Sequence, residues 1–114
     1  MGLELLAIEE LSDSGKGFRI LRLKGPILVS NLFEFQAMVR SNTSPGLILD
    51  LTDVPYIDSA GVGALVGAYV KHQKDGRSLG LVGASDRIRN TLRITQVESF
   101  FRYFDSAAAA QNAA

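Results

Sequence analysis

A chain of 114 residues fits one compact domain, and 46% hydrophobic with 21% charged residues is the composition of a globular protein with a packed core. Twelve basic residues balance twelve acidic ones, so no overall positive field exists to attract nucleic acid or an anionic membrane. The absence of cysteine excludes disulfides, thiol catalysis and thiolate metal sites.

The N-terminal sequence Met1-Gly2-Leu3-Glu4 lacks the basic flank and apolar run of a signal peptide. No uninterrupted apolar stretch approaches the ~20 residues of a membrane span, so we expect a cytoplasmic protein outside the membrane. Because no repeat or linker is found, residues 1–114 are predicted to form a single domain, in which residues 106–114 make an alanine-rich tail or terminal helix.

The first half of the chain begins with two stretches of alternating apolar residues, over 3–11 and Phe18–Leu23, which predict a β-hairpin. The turn cluster over 12–17, rich in Ser, Asp and Gly, would join its strands. After a turn at Gly25, apolar residues at helical spacing predict a helix over Asn31–Arg40, with the preceding Ser30 as its N-cap.

The second half continues with the apolar run Leu47–Leu51, which is typical of a central strand buried on both faces. The clearest helical periodicity in the chain predicts a helix over Ser59–Gln73. A strand over Ser78–Val82, a helix capped by Ser85 and a short strand over Phe100–Phe104 follow. Together these elements predict an α/β sandwich in the order β-β-α-β-α-β-α-β-α, with a mixed sheet covered largely on one face by helices.

The stretch that carries chemistry is Leu47–Val70, LILDLTDVPYIDSAGVGALVGAYV, in which Asp58 and Ser59 stand where a helix begins. First-turn N–H groups and the positive end of the helix dipole stabilise an anionic group there, so a phosphoserine at Ser59 is physically reasonable. It would add about −1.5 to −2 charges beside Asp58 and could switch binding without refolding. The alternative interpretation is that Asp58 or Ser59 simply caps the helix.

Small residues recur along this helix at Gly61, Gly63 and Gly67, interleaved with three alanines, although each interior glycine costs roughly 1 kcal/mol of helix propensity. Their presence indicates that another part of the chain or another protein packs closely against the helix. Two interpretations remain open, namely tight packing of the helix on the sheet and a flat docking surface for a partner protein.

The whole pattern resembles the single-domain anti-sigma factor antagonists, which are built on the STAS fold. The resemblance lies in a strand containing Asp50, then a short apolar loop, then an Asp-Ser-x-Gly motif at a helix start followed by an apolar-Gly pair. These motif residues are Asp58, Ser59, Ala60, Gly61, Val62 and Gly63. It extends over the N-terminal hairpin, the Gly25 turn and the strand Leu79–Gly83, and stops at the alanine-rich tail.

The resemblance implies a regulator by partner switching and not an enzyme. The dephosphorylated chain would bind an anti-sigma serine kinase and free a sigma factor, until the kinase transfers phosphate from its own ATP to Ser59 and a serine phosphatase resets it. No cofactor of its own is implied. Asp58 would shape the kinase contact, Gly61 would let the helix start lie close to the partner, and Asp50 and Asp53 would hold the loop or its edge.

Other interpretations remain open. Members of this fold family also serve in stress-sensing complexes, as ligand-sensing domains, and as accessory modules of lipid or anion transporters. A metal site or a receiver domain is another interpretation of Asp50, Asp53 and Asp58. A receiver domain, however, needs an acidic pair after its first strand to hold magnesium, and this sequence has no such pair there. His72 is expected to be solvated or to interact with a helix C-terminus, and the arginines at 87, 89 and 93 to form a solvated face.

Overall fold

The computed structural model describes residues 4–11 and 17–113, which form a five-stranded sheet flanked by helices. The strands are β1 (Ala7–Leu11), β2 (Phe18–Lys24), β3 (Gly46–Asp53), β4 (Ser78–Val82) and β5 (Arg102–Phe104). The helices are α1 (Phe33–Arg40), α2 (Ser59–Lys74), α3 (Asp86–Ile94) and α4 (Ala107–Asn112), with a 3-10 turn at Glu98–Phe100. The predicted element order is confirmed, whereas most of the predicted turn over 12–17 lies outside the described residues.

The five strands lie side by side in chain order, β1-β2-β3-β4-β5. The β1 strand runs antiparallel to β2, and the remaining neighbours are parallel, so the sheet is mixed as predicted. The central strand β3 is buried over its first six residues, which explains its nearly continuous apolar sequence. Because β2, β3 and β4 are parallel, the loops that follow them meet at one edge of the sheet, where Ser59 lies.

The two faces of the sheet are covered unequally. Leu21, Leu49 and Leu81 belong to a large apolar core together with residues of α1, α2 and α3. The intervening residues point to the opposite face, where Ile20, Ile48 and Val82 pack with Ala110 of α4. The alanine-rich tail is therefore a helix docked on the second face, and Ala110 is buried. In the described ranges, no helix combines the length and apolar character needed to cross a membrane.

The start of α1 differs from the prediction, because the helix begins at Phe33 and Ser30 does not cap it. The preceding loop is organised by Asn31, whose side-chain oxygen accepts from the N–H of Leu28 at 2.9 Å. Its amide group donates to the carbonyl oxygens of Pro26, at 2.9 Å, and Glu4, at 3.1 Å. These side-chain hydrogen bonds to the backbone compete with helical hydrogen bonds, so the helix begins after the loop. Helix periodicity in the sequence does not reveal this competition.

His72 was predicted to be solvated or to interact with a helix C-terminus, and the solvated alternative is wrong, because the side chain is 1% exposed. Its Nδ1 lies 2.8 Å from the carbonyl oxygen of Ala68, and its Nε2 lies 2.9 Å from Nδ2 of Asn42, which is also buried. Nδ1 therefore carries the proton and donates, while Nε2 accepts from the amide of Asn42. Burial lowers the pKa of His72 and keeps the ring neutral. The pair fastens α2 to the loop before β3.

The C-terminal ends of α2 and α3 share one geometry. After α2, Gly76 has φ 71° and its N–H donates to the oxygen of Gln73, while the next N–H, of Arg77, reaches the oxygen of His72. After α3, Gln96 has φ 64° and donates to the oxygen of Arg93. Both are Schellman ends, but only α2 has glycine at the left-handed position, where residues with side chains are strained.

Candidate functional site

The start of α2 is held by Asp58, which precedes the first helical residue in an extended conformation. Its Oδ1 accepts a hydrogen bond of 2.8 Å from the backbone N–H of Gly61. This satisfies one of the donors that the first turn of a helix leaves unpaired. Asp58 is thus the N-cap, and the capping role that the sequence allowed for either Asp58 or Ser59 belongs to the aspartate.

Ser59 is the first residue of α2 and its side chain is exposed to solvent. Within the part of the chain that the structure describes, no group forms a hydrogen bond with its hydroxyl. Since Asp58 already performs the capping, this hydroxyl has no structural task. It stands beside first-turn N–H groups and the positive end of the helix dipole, where an anion is stabilised.

The second oxygen of Asp58 makes a long-range contact that the sequence does not reveal. Oδ2 accepts a 3.0 Å hydrogen bond from the backbone N–H of Val29, in the loop between β2 and α1. The backbones of the two loops also pair: Ile27 and Ile57 form an isolated parallel bridge, and the N–H of Asp58 donates to the oxygen of Ile27 at 3.2 Å. One carboxylate therefore holds both the start of α2 and the neighbouring loop.

Gly61 and Val62 face the interior of the chain, and the partner-binding role predicted for them stays a prediction. A Cβ on Gly61 would overlap the carbonyl oxygen of Ile27 and lie 3.1 Å from Cβ of Ile57. The glycine is therefore required for packing within the chain. Val62 is 7% exposed and belongs to the large apolar core. Ala60 is partly buried and packs against the same core.

Gly63 and Gly67 lie on the opposite side of α2 and are exposed. A Cβ on either would meet no atom within 4 Å. Both glycines line a groove of about 250 Å³ between α1 and α2, together with Val39, Arg40 and Lys71. The two interpretations of the small residues thus apply to different faces of one helix: Gly61 serves packing, whereas Gly63 and Gly67 leave a bare surface.

Asp50, which the resemblance expects to hold the loop or its edge, makes its contacts within the sheet. It is buried on the face of the sheet that α4 covers. Its Oδ1 accepts hydrogen bonds from the backbone N–H and the hydroxyl of Thr52, at 3.0 and 2.6 Å, and its Oδ2 lies 3.4 Å from Nε of Arg22. Asp53 is exposed at the end of β3, and its backbone oxygen accepts from the N–H of Gly25, which fixes the turn after β2.

A metal site is one alternative interpretation of Asp50, Asp53 and Asp58. Asp50 is committed to Thr52 and Arg22, and Asp58 uses both oxygens for backbone N–H groups. Across residues 4–11 and 17–113, no three His, Asp or Glu side chains come close enough to hold a metal ion together. The carboxylates of Asp50 and Asp58 are therefore engaged in contacts within the chain.

The surface around Ser59 is partly apolar and partly charged. Val29 is 65% exposed and Phe33 is 75% exposed, which is high for large apolar side chains. Tyr56, from the loop before α2, donates its hydroxyl to Glu4, and this hydrogen bond raises the pKa of the phenol. The guanidinium of Arg87 lies 4.8 Å from the centre of the Tyr56 ring. The loops that adjoin Ser59 thus carry exposed apolar, aromatic and charged side chains.

Comparison with known proteins gives one match among family models and several among curated proteins and solved structures. The STAS domain model matches residues 12–110. The anti-sigma-B factor antagonist of Listeria monocytogenes is 43% identical over 49 residues, and the match spans 43% of this chain and 43% of that relative. The chain thus matches less than half the length of these curated relatives.

Solved structures of low sequence identity share the fold. An anti-sigma factor antagonist from Mycobacterium paratuberculosis is 19% identical, with a TM-score of 0.80 over 95% of this chain and 92% of that one. The Bacillus cell fate determinant SpoIIAA in its phosphorylated form is 14% identical, with a TM-score of 0.71 over 95% and 100%.

A sulfate transporter family protein from Wolinella succinogenes is 28% identical, with a TM-score of 0.67 over 85% of this chain and 84% of that one. The neighbours therefore include both regulators and a transporter family protein. They share the mixed sheet and the helices described above, and the family model covers 99 of the 114 residues, counted from 12 to 110. This chain belongs to the STAS domain family.

Proposed function

We propose that this chain is a cytoplasmic anti-sigma factor antagonist that is switched by phosphorylation of Ser59. The observation that carries the proposal is the free, exposed hydroxyl of Ser59 at the start of α2, beside an Asp58 that performs the capping. The names of the Listeria and Mycobacterium relatives support the process, and the Bacillus structure shows that a protein of this fold exists in a phosphorylated form.

In the proposed cycle, the unphosphorylated chain binds an anti-sigma serine kinase and thereby frees a sigma factor. Oγ of Ser59 then attacks the γ-phosphorus of ATP held by the kinase. A new O–P bond forms, the bond to the ADP leaving group breaks, and the hydroxyl proton passes to a base of the kinase or to water. A serine phosphatase hydrolyses the phosphoserine and restores the hydroxyl.

Electrostatics explain why phosphate would end the complex. The added group brings about −1.5 to −2 charges and lies beside the carboxylate of Asp58, at a surface that also carries Val29 and Phe33. A partner packed closely against Ser59 would have to bury this charge without a matched cation, which is strongly unfavourable. Binding is then lost without unfolding the chain.

The test is intact-mass spectrometry of the protein incubated with ATP and with candidate anti-sigma kinases from the same genome. We expect the mass to increase by one phosphate and the increase to be absent in Ser59→Ala. Ser59→Ala should retain kinase binding and Ser59→Asp should weaken it, as measured by calorimetry. If no kinase adds phosphate and both variants bind alike, the proposal is wrong, and a ligand-binding or transport-accessory module becomes the better interpretation.

A further inference from the structure

We infer that Asp58 transmits phosphorylation of Ser59 to the loop between β2 and α1, because its carboxylate binds that loop through the N–H of Val29. The inference rests on the proposed function and adds its regulation: modification of Ser59 would do more than place a charge on the surface. It would also release a neighbouring loop that carries exposed apolar side chains.

Two kinds of contact hold the loop to the start of α2, and a charge placed on Ser59 would affect them unequally. The backbone pairing between Ile27 and Ile57 involves neutral groups in the chain interior. The Val29 contact, in contrast, is one hydrogen bond of 3.0 Å to a carboxylate, and it lies at the surface. Asp58, the residue next to Ser59, makes two contacts to the loop: its backbone N–H donates to Ile27, and its carboxylate, the charged group, accepts from Val29.

A phosphate on Ser59 would compete with Asp58 in two ways. First, it is an anion beside an anion, so the carboxylate is repelled from its present position. Second, phosphate oxygens at the first helical residue seek the same first-turn N–H groups, including that of Gly61, which Oδ1 of Asp58 now occupies. Because both oxygens belong to one planar group, moving Oδ1 away from Gly61 also shifts Oδ2 relative to the N–H of Val29, and we expect that hydrogen bond to weaken.

The consequence falls on two exposed apolar residues, Val29 and Phe33. Val29 lies directly at the released hydrogen bond, and Phe33 opens the helix that follows the loop. Pro26 and Leu28 stay tied to Asn31, so the loop as a whole is not expected to unfold. The expected change is thus local, and it alters how Val29 is presented beside Ser59.

The experiment measures amide hydrogen exchange by NMR on the full chain carrying phosphoserine at position 59, incorporated during translation so that no kinase is needed. Loss of a hydrogen bond to a charged acceptor predicts that the Val29 amide exchanges about tenfold faster than in the unmodified chain. The amide of Ile88, which donates to Ser85 Oγ at the start of α3, is the matched control and should not change.

A second variant separates the role of Asp58 from a general effect of charge. Asp58→Asn keeps one oxygen to cap Gly61 but places an NH₂ group toward Val29, so the Val29 amide should exchange fast before any modification. Phosphoserine should then add little. An unchanged Val29 rate on phosphorylation, or an equal acceleration in the Asp58→Asn chain, would overturn the inference. A failed kinase assay would instead count against the proposed function. The exchange experiment uses no kinase, so the two failures can be told apart.

Discussion

Three glycines of α2 provide a stability test in which neighbouring substitutions of one kind should have opposite signs. Gly61→Ala would place a methyl group closer than 3.0 Å to the backbone oxygen of Ile27 and at 3.1 Å from Ile57. Neither neighbour is the flexible end of a side chain, since both belong to the bridge that joins the two loops. Relief requires the start of α2 to move away from the loop, and overpacking of this kind costs about 1–3 kcal/mol.

Gly63→Ala and Gly67→Ala are the matched controls. Their added methyl groups would meet no atom within 4 Å, so only the helix propensity changes. Alanine is favoured over glycine by about 1 kcal/mol in a helix interior, and each control should therefore be more stable than the wild type. At this chain length, 1 kcal/mol corresponds to a shift of roughly 4 °C in Tm.

The assay is urea unfolding followed by circular dichroism at 222 nm, with the m-value checked for constancy. A Gly61→Ala protein as stable as the wild type would refute the packing account of this glycine. A loss of stability in Gly63→Ala would show that its surface is covered in solution. If Gly63→Ala is more stable and yet binds the kinase less well, the bare face of α2 takes part in the complex.

Two further predictions concern stability. Because burial lowers the pKa of His72 below its ordinary 6.5, unfolding takes up a proton as the pH falls below that value. The stability contributed by the neutral ring is therefore full above pH 6.5 and declines below it. His72→Gln should flatten this decline in urea titrations, and an unchanged pH dependence would contradict the neutral buried ring. Gln96→Gly should raise stability by about 0.5–1 kcal/mol by relieving the positive φ, and Gly76→Ala should lower it by a similar amount. If the two substitutions change the stability in the same direction, the positive φ does not determine the stability of these helix ends.

Much of the fold follows from short-range signals in the sequence. Alternation of apolar residues places the strands, and the apolar run at Leu47–Leu51 identifies the central one. Helix caps can also be predicted from the sequence, because they join residues three positions apart. Ser85 accepts from the N–H of Ile88 in this way, and Asp58 accepts from that of Gly61. The family resemblance added what these patterns do not contain, namely the expected role of Ser59.

Two of the missed features depend on residues far apart in the chain. Asp58 meets Val29 across 29 positions, and His72 meets Asn42 across 30. A lone histidine near the end of a helix has the sequence pattern of a solvated residue, and only the position of the loop before β3 makes it a buried one. Asp50, in contrast, lies within β3 itself, where strand alternation turns its side chain to the face of the sheet that α4 covers.

The glycines of α2 illustrate why residue type does not settle function at such a site. Gly61 and Gly63 are two positions apart, which on a helix turns them by about 200°. One therefore points at Ile27 and the other at solvent. The first glycine lets α2 lie close to the loop whose Val29 N–H donates to Asp58, and the second leaves its own face of α2 bare. The same residue type thus supports the internal clamp and the external surface, and a single phosphate at Ser59 would act on both.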